Sequence, residues 1–334
     1  RNSSVIRPTQ LHLLRVVVSL LLATILAGCA SRPQWPDTPA LNTAGVDQRK
    51  VLDHVPFHAQ ELYQCGPASL AMMLNSQGLN TNPAVLKELV YLPARQGSLK
   101  VEMVSAARSH GLLVYPLDGS LKSLLEEIAS GHPVLVMQNL RFDWWPQWHF
   151  AVAIGYDASD RSIILHTGTQ ERHEQALEVF MATWDRADNW AAVILPPDRL
   201  PATAQPLRYL TSANDLETTG RTIAATEAYR TAEQAWPDQP AAIMGQGNIA
   251  WQQGQVDLAA QHFLRLTAKF PNLAAGWNNL AHALATQGCA TASRTAASCA
   301  SAIDPERFDG NVQNDSDRPR PVECPALDCP TPIH

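Results

Sequence analysis

Apolar and polar residues follow two regimes along this chain, a non-repeating one up to Pro196-Pro197 and a periodic one behind it. In the first, residues 67–76 carry a helical pattern stopped at Gly78, and Asn82-Pro83 opens a second helix. Ser98 is placed to cap a third, which runs to His110 and ends at Gly111. Residues 112–117 predict a strand, and Ser120 caps a further helix that closes at Gly131. Residues 133–140, 149–156 and 162–166 are β-rich runs, the last two joined by the turn Asp157-Ala158-Ser159-Asp160. A short helix over 177–184 and a strand over 190–195 complete the set. Helices first and antiparallel strands later is the order of an α+β domain, here spanning 49–198, and not of a doubly wound sheet.

Behind the proline pair, Pro237, Pro271 and Pro305 are spaced by 34 residues, and so are Gly220, Gly254 and Gly288. The same frame holds Ala225, Ala259 and Ser293, then Tyr229, Phe263 and Ala297, with Trp277, Leu280 and Ala281 opening the third unit. This resembles the tetratricopeptide repeat, and the resemblance implies three all-α units over 206–307. Tyr209 and Ala213 stand in the first unit where that pattern has Trp and Gly. Residues 308–334, with Asp315-Ser316-Asp317 and several prolines, are expected to be a disordered tail.

The N-terminus changes the picture of where the protein resides. Arg1, Arg7 and Arg15 precede an apolar run over 16–27 that is too short for a comfortable membrane span and has the character of a signal-peptide core. It ends in Leu26-Ala27-Gly28-Cys29, which resembles the lipobox of bacterial lipoproteins. The resemblance implies a signal peptide over 1–28, a lipidated Cys29, and a tether over 29–48 leading to the folded domain. With Ala30 and Ser31 after the cysteine, it implies a lipoprotein of the Gram-negative outer membrane facing the periplasm.

A net charge of −6 with scattered Lys and Arg leaves no basic footprint, so nucleic acid is excluded as an expected partner. Beyond Cys29 and Cys65, the cysteines 289, 299, 324 and 329 fall into two pairs close in sequence. An oxidising periplasm would permit bridges 289–299 and 324–329. None of them has neighbours at zinc-ligand spacing, and neither a metal nor an organic cofactor is expected.

The candidate chemistry lies in the stretch from Val55 to Leu70. Cys65-Gly66-Pro67 stands where a helix begins, and a helix N-terminus stabilises a thiolate through its free N–H groups and dipole. Gly66 is expected to let a substrate backbone approach, and Gln60 can supply an amide donor to an oxyanion. A histidine on a facing strand completes such a pair, and His149, opening the run His149-Phe150-Ala151-Val152, has that position. Together these residues resemble the C39-like branch of the papain-type cysteine peptidases over about residues 50–197. The resemblance implies Cys65 as nucleophile, His149 as general base and acid, and Gln60 as oxyanion donor.

At the third position the sequence departs from that family, because the return strand reads Ile163-Ile164-Leu165-His166-Thr167 and holds no carboxylate. His166 or Thr167 is expected to orient His149, since Asp157 lies beyond the strand end. Trp144, Trp145 and Trp148 precede the histidine as core anchors or cleft walls, and Trp148 is taken with Gly66 as a substrate contact. The leading reading is an exported, lipid-anchored cysteine peptidase acting on a peptide or protein, with the repeats binding a protein partner and the lipid holding the membrane. An amidase or transferase with the same acyl-enzyme chemistry, and a catalytically inactive lipoprotein scaffold, are the alternatives.

Overall fold

A computed structural model describes residues 33–36, 48–59, 64–95, 97–312 and 323–330. The expected signal segment, Cys29 and Gln60 lie outside the described residues. All elements below fall in the compact unit that starts at Pro36.

Seven antiparallel strands form one sheet: β1 (Arg49–Val51), β2 (Leu113–Pro116), β3 (Val134–Asn139), β4 (Trp148–Asp157), β5 (Ser162–Thr167), β6 (Gln170–Ala176) and β7 (Ala191–Leu195). Their order is β2-β7-β3-β4-β5-β6, with β1 paired to the second half of β4. Strands β3, β5 and β7 and most of β4 are runs of buried apolar residues, which suits a sheet interior covered by helices. The helices of this domain are α1 (Cys65–Ser76), α2 (Pro83–Val90), α3 (Lys100–Ser109), α4 (Leu121–Ala129) and α5 (Leu177–Asp185).

Their starts have local causes. The Asn82 side chain accepts the Val85 amide at 3.1 Å ahead of Pro83, and the Ser120 hydroxyl accepts the Ser123 amide at 3.1 Å. Ser98 does not cap α3, whose N-cap is Leu99 with no side-chain bond. Its hydroxyl is buried without a hydrogen-bond partner because the space around it is filled by the first turn of α1: a Cβ at Gly66 would overlap the Ser98 side chain.

The second part is three helical hairpins: α6 (Pro206–Thr218) with α7 (Thr222–Ala235), α8 (Pro240–Gln252) with α9 (Val256–Lys269), and α10 (Ala274–Thr286) with α11 (Ala290–Ile303). Gly220, Gly254 and Gly288 link each pair at φ +77, +71 and +79°, a conformation in which a Cβ is strained. Ala225, Ala259 and Ser293 are fully buried where paired helices touch; Gly245 leaves room for the Tyr229 ring of the preceding hairpin, and Gly247 for the Phe263 ring of its own hairpin.

Two features of this part differ from expectation. The disulfides are Cys289–Cys324 and Cys299–Cys329, not 289–299 and 324–329. Cys289 is the N-cap of α11 and Cys299 lies inside it, so the helix itself holds their separation and each reaches a cysteine from the C-terminal segment. Residues 323–330, expected in a disordered tail, are therefore stapled to the last hairpin, and Leu327 packs on its core with Phe308 and Val312.

The segment between the domains is held by a buried carboxylate. Glu127 on α4 is wholly buried and accepts bonds from the Thr203 amide at 2.8 Å, the Thr203 hydroxyl at 2.6 Å, the Ala202 amide at 3.1 Å and His132 Nδ1 at 2.7 Å. Tyr115 adds to this, its hydroxyl donating to the Thr203 carbonyl and accepting the Gln205 amide, both at 3.0 Å. Arg108 on α3 and Asp215 on α6 form an ion pair across the same seam.

Candidate active site

Strand β4 outruns β5 at one end, and that mismatch creates the site. Strand β5 turns into β6 through Gly168, at φ +54°, with Thr167 opposite Gln170, so it ends before it can pair with the start of β4. Alternate residues of an antiparallel strand direct their backbone polar groups to opposite edges. Leu140 donates to the Gln147 carbonyl, which fixes the odd-numbered residues of β4 toward β3 and turns Phe150 to the open edge. Helix α1 occupies that edge. Ser69 donates to the Phe150 carbonyl at 3.1 Å, and one turn earlier the Cys65 sulfur is within reach of the Phe150 amide.

Cys65 is thus docked on the residue next to His149. Its sulfur also faces the amides of Gly66 and Cys65, as a helix start predicts. These three N–H groups favour the thiolate, but burial acts against it more strongly and pushes the thiol above its ordinary value. The expected net depression by the helix terminus is therefore reversed. Burial likewise lowers His149, to about 4, so at neutral pH the imidazole is uncharged and able to accept a proton. Cys65 is a free thiol on a half-buried residue.

The side chain that meets His149 is Thr167: its Oγ1 lies 2.7 Å from His149 Nε2. That bond leaves Nδ1 as the ring nitrogen available to a proton donor. A hydroxyl fixes the ring without supplying the negative charge that would stabilise an imidazolium, in keeping with the low His149 value. His166 does not share this role. It is buried, its Nε2 3.2 Å from the Val55 carbonyl and its Nδ1 accepting the Arg172 amide at 3.2 Å, because successive strand residues face opposite sides of the sheet. Asp157 is at the far end of β4, paired with Arg49 and accepting the Ser159 and Asp160 amides.

Gly66 is buried against Ser98 and Met103, so helix packing alone requires its small size. Trp148 is exposed at the start of β4, beside a loop that also exposes Phe142, Trp144 and Trp145. Asn139 holds this loop, its side-chain oxygen accepting the Arg141 amide at 3.1 Å and the Gln147 amide at 2.9 Å. With Arg186 the loop lines an open pocket of about 500 Å³. The tryptophans are therefore surface groups near the candidate histidine, not core anchors. The Phe150 amide had no signature in the sequence, being a backbone group. Ser69, four residues beyond Cys65, was the one visible sign of the face α1 turns to β4. Among the described residues no cluster of His, Cys, Asp and Glu could hold a metal ion.

Residues 52–192 match the model of the "Peptidase_C39 like family", and residues 210–274 and 245–300 match a tetratricopeptide-repeat model. Among solved structures, a protein described as a C39-like peptidase from Bacillus anthracis is 19% identical, with 45% of this chain and 98% of that chain covered and a TM-score of 0.38. The peptidase domain of Streptococcus ComA, a bi-functional ABC transporter involved in quorum sensing, is 20% identical over 44% of this chain and 98% of that chain, with a TM-score of 0.34. A search of the curated proteins found no match. The chain carries a domain of the peptidase C39-like family followed by tetratricopeptide repeats.

Proposed function

We propose that this protein is a thiol peptidase in which the uncharged His149 takes the proton of Cys65 as the sulfur attacks a peptide carbonyl. The observation that carries the reading is the contact between the Cys65 sulfur and the Phe150 amide, with the adjacent His149 fixed by Thr167. The thiolate forms the acyl-enzyme, and the imidazolium returns its proton to the leaving amine. The ring then activates water to release the acid. The Cys65 amide and the side chain of Gln60 serve as oxyanion donors in this scheme. The repeats select a protein partner or a substrate segment.

Export and lipidation at Cys29 belong to the same proposal. They draw support from the signal-like N-terminus and from the disulfides Cys289–Cys324 and Cys299–Cys329, which persist in an oxidising compartment such as the periplasm. Growth with a labelled fatty acid tests this, since a Cys29→Ala chain should carry no label.

An inactive scaffold is favoured by one observation: burial drives both groups toward their neutral forms, and among the described residues the group bonded to His149 is a hydroxyl, not a carboxylate. Peptide-library cleavage by the wild-type chain and Cys65→Ala separates the two. Products that vanish in Cys65→Ala support the peptidase, whereas a library left intact, with Cys65 no more reactive to iodoacetamide than an ordinary thiol, supports the scaffold.

A further inference from the structure

A groove of about 510 Å³ runs along the seam between the two domains, and neither Cys65 nor His149 lines it. Its floor is the face of the sheet at Val114 and Ala192, and its walls come from α3 on one side and α6 on the other. The wall of α6 presents Leu207, 80% exposed despite being apolar. The groove also holds two guanidinium groups, Arg108 and Arg208, against one carboxylate, Asp215. Arg108 pairs with Asp215 through Nη2, and its buried Nε has no acceptor. Arg208 lies over the Tyr115 ring and forms no ion pair among the described residues. The groove is thus apolar along its floor, and its lining carries two guanidinium groups against one carboxylate, with Asp118 close enough to Arg208 to feel its charge.

The two ends differ. At one end is Trp190, with the Lys100 ammonium over its ring and Phe150, the residue that meets Cys65, against its edge. Arg108 is eight residues further along α3, or about 12 Å at 1.5 Å per residue. An extended chain covers that distance in about four residues. A segment lying in the groove would pass from the neighbourhood of the nucleophile to the guanidinium pair.

We propose that this groove binds the C-terminal segment of a peptide, its apolar side chains on Val114, Ala192 and Leu207 and its terminal carboxylate on Arg208 and Arg108. Guanidinium recognises carboxylate through paired N–H donors, and the apolar floor accounts for the selectivity of the rest. Neither domain alone forms the site, because Arg108 and Arg208 come from different domains. That the bound peptide is also the one cleaved at Cys65 rests on the peptidase reading; the binding itself does not.

The test is calorimetric titration of the full chain carrying Cys65→Ala with N-acetyl-leucyl-leucine, its carboxamide, and decanoate. The free acid should bind about tenfold more tightly than the carboxamide. Arg208→Gln should bring the two to parity, and Leu207→Asp, a substitution at an exposed position, should weaken both. Equal binding of acid and amide, no binding of the acid, or a preference that survives Arg208→Gln overturns the assignment, and so does binding of decanoate in place of the peptide. Because the nucleophile is absent, loss of hydrolysis in any other experiment leaves this result standing, and the reverse holds as well.

Discussion

The two domains distribute their constraints in opposite ways. In the repeats a contact made once is made again one unit later: a small residue at 225, 259 and 293 is buried each time where paired helices touch, and a buried aromatic ring stands at 229 and again at 263. Stability there is the sum of similar interfaces. In the sheet domain the decisive contacts occur once, where the first turn of α1, the open edge of β4 and the last residue of β5 converge. The lesson is that activity and stability should respond to different residues in this chain, and that the same kind of substitution should read out differently in each half.

The sharpest division is expected at Cys65. Cys65→Ala should lower peptide cleavage by about a thousandfold or more while leaving the melting temperature unchanged; residual cleavage near the wild-type rate would remove the sheet domain from the comparison. Next comes acid sensitivity. His149 is held at about 4 when folded against an ordinary 6.5, so as pH falls the unfolded chain takes up the proton first. The folded state is at full strength above about 6.5 and loses about 2 to 3 kcal/mol from this residue by pH 4.5. Urea titrations at pH 7 and 4.5 should show that loss reduced in His149→Gln; an equal loss in both chains would place the acid sensitivity elsewhere.

A matched pair of glycines tests the comparison directly. Gly66→Ala would drive a Cβ into Ser98 and shift the first turn of α1, so iodoacetamide labelling of Cys65 should change clearly. Gly247→Ala would press on the Phe263 ring and should cost about 1 to 3 kcal/mol with labelling untouched. If both substitutions alter labelling, the halves are coupled more closely than their contacts imply. The smallest effect is at Thr167, where valine removes the hydroxyl that fixes His149. A loss of about tenfold in kcat/KM is expected, equivalent to about 1.4 kcal/mol, and aspartate at that position should move the acid limb of activity to higher pH.

Much of this was legible in the sequence because periodicity and chemistry coincided. The hairpins begin at Pro206, Pro240 and Ala274, in the spacing that Pro237, Pro271 and Pro305 announce. Cys65 at a helix start and His149 at a strand start were visible for the same reason. Strand β6 was not, since Gln-Glu-Arg-His-Glu-Gln-Ala has no apolar face and forms only because β5 offers it an edge. Nor did sequence decide between His166 and Thr167, as the choice depends on which side of β5 faces β4 at its end. The balance between burial and the amides around Cys65 is a property of the assembled site. The cysteine pairing depended on where a later segment returns, which proximity along the chain does not encode.

Glu127 has a mechanical meaning. By gripping the backbone at Ala202 and Thr203 it turns what would be a swivel into a bracket, so under the proposed function a protein captured by the repeats would be presented to the sheet domain at one angle. Selectivity would then be set by carpentry as much as by pocket chemistry: cargo whose cleavable stretch does not fall at the correct offset from its grip would be held and left uncut.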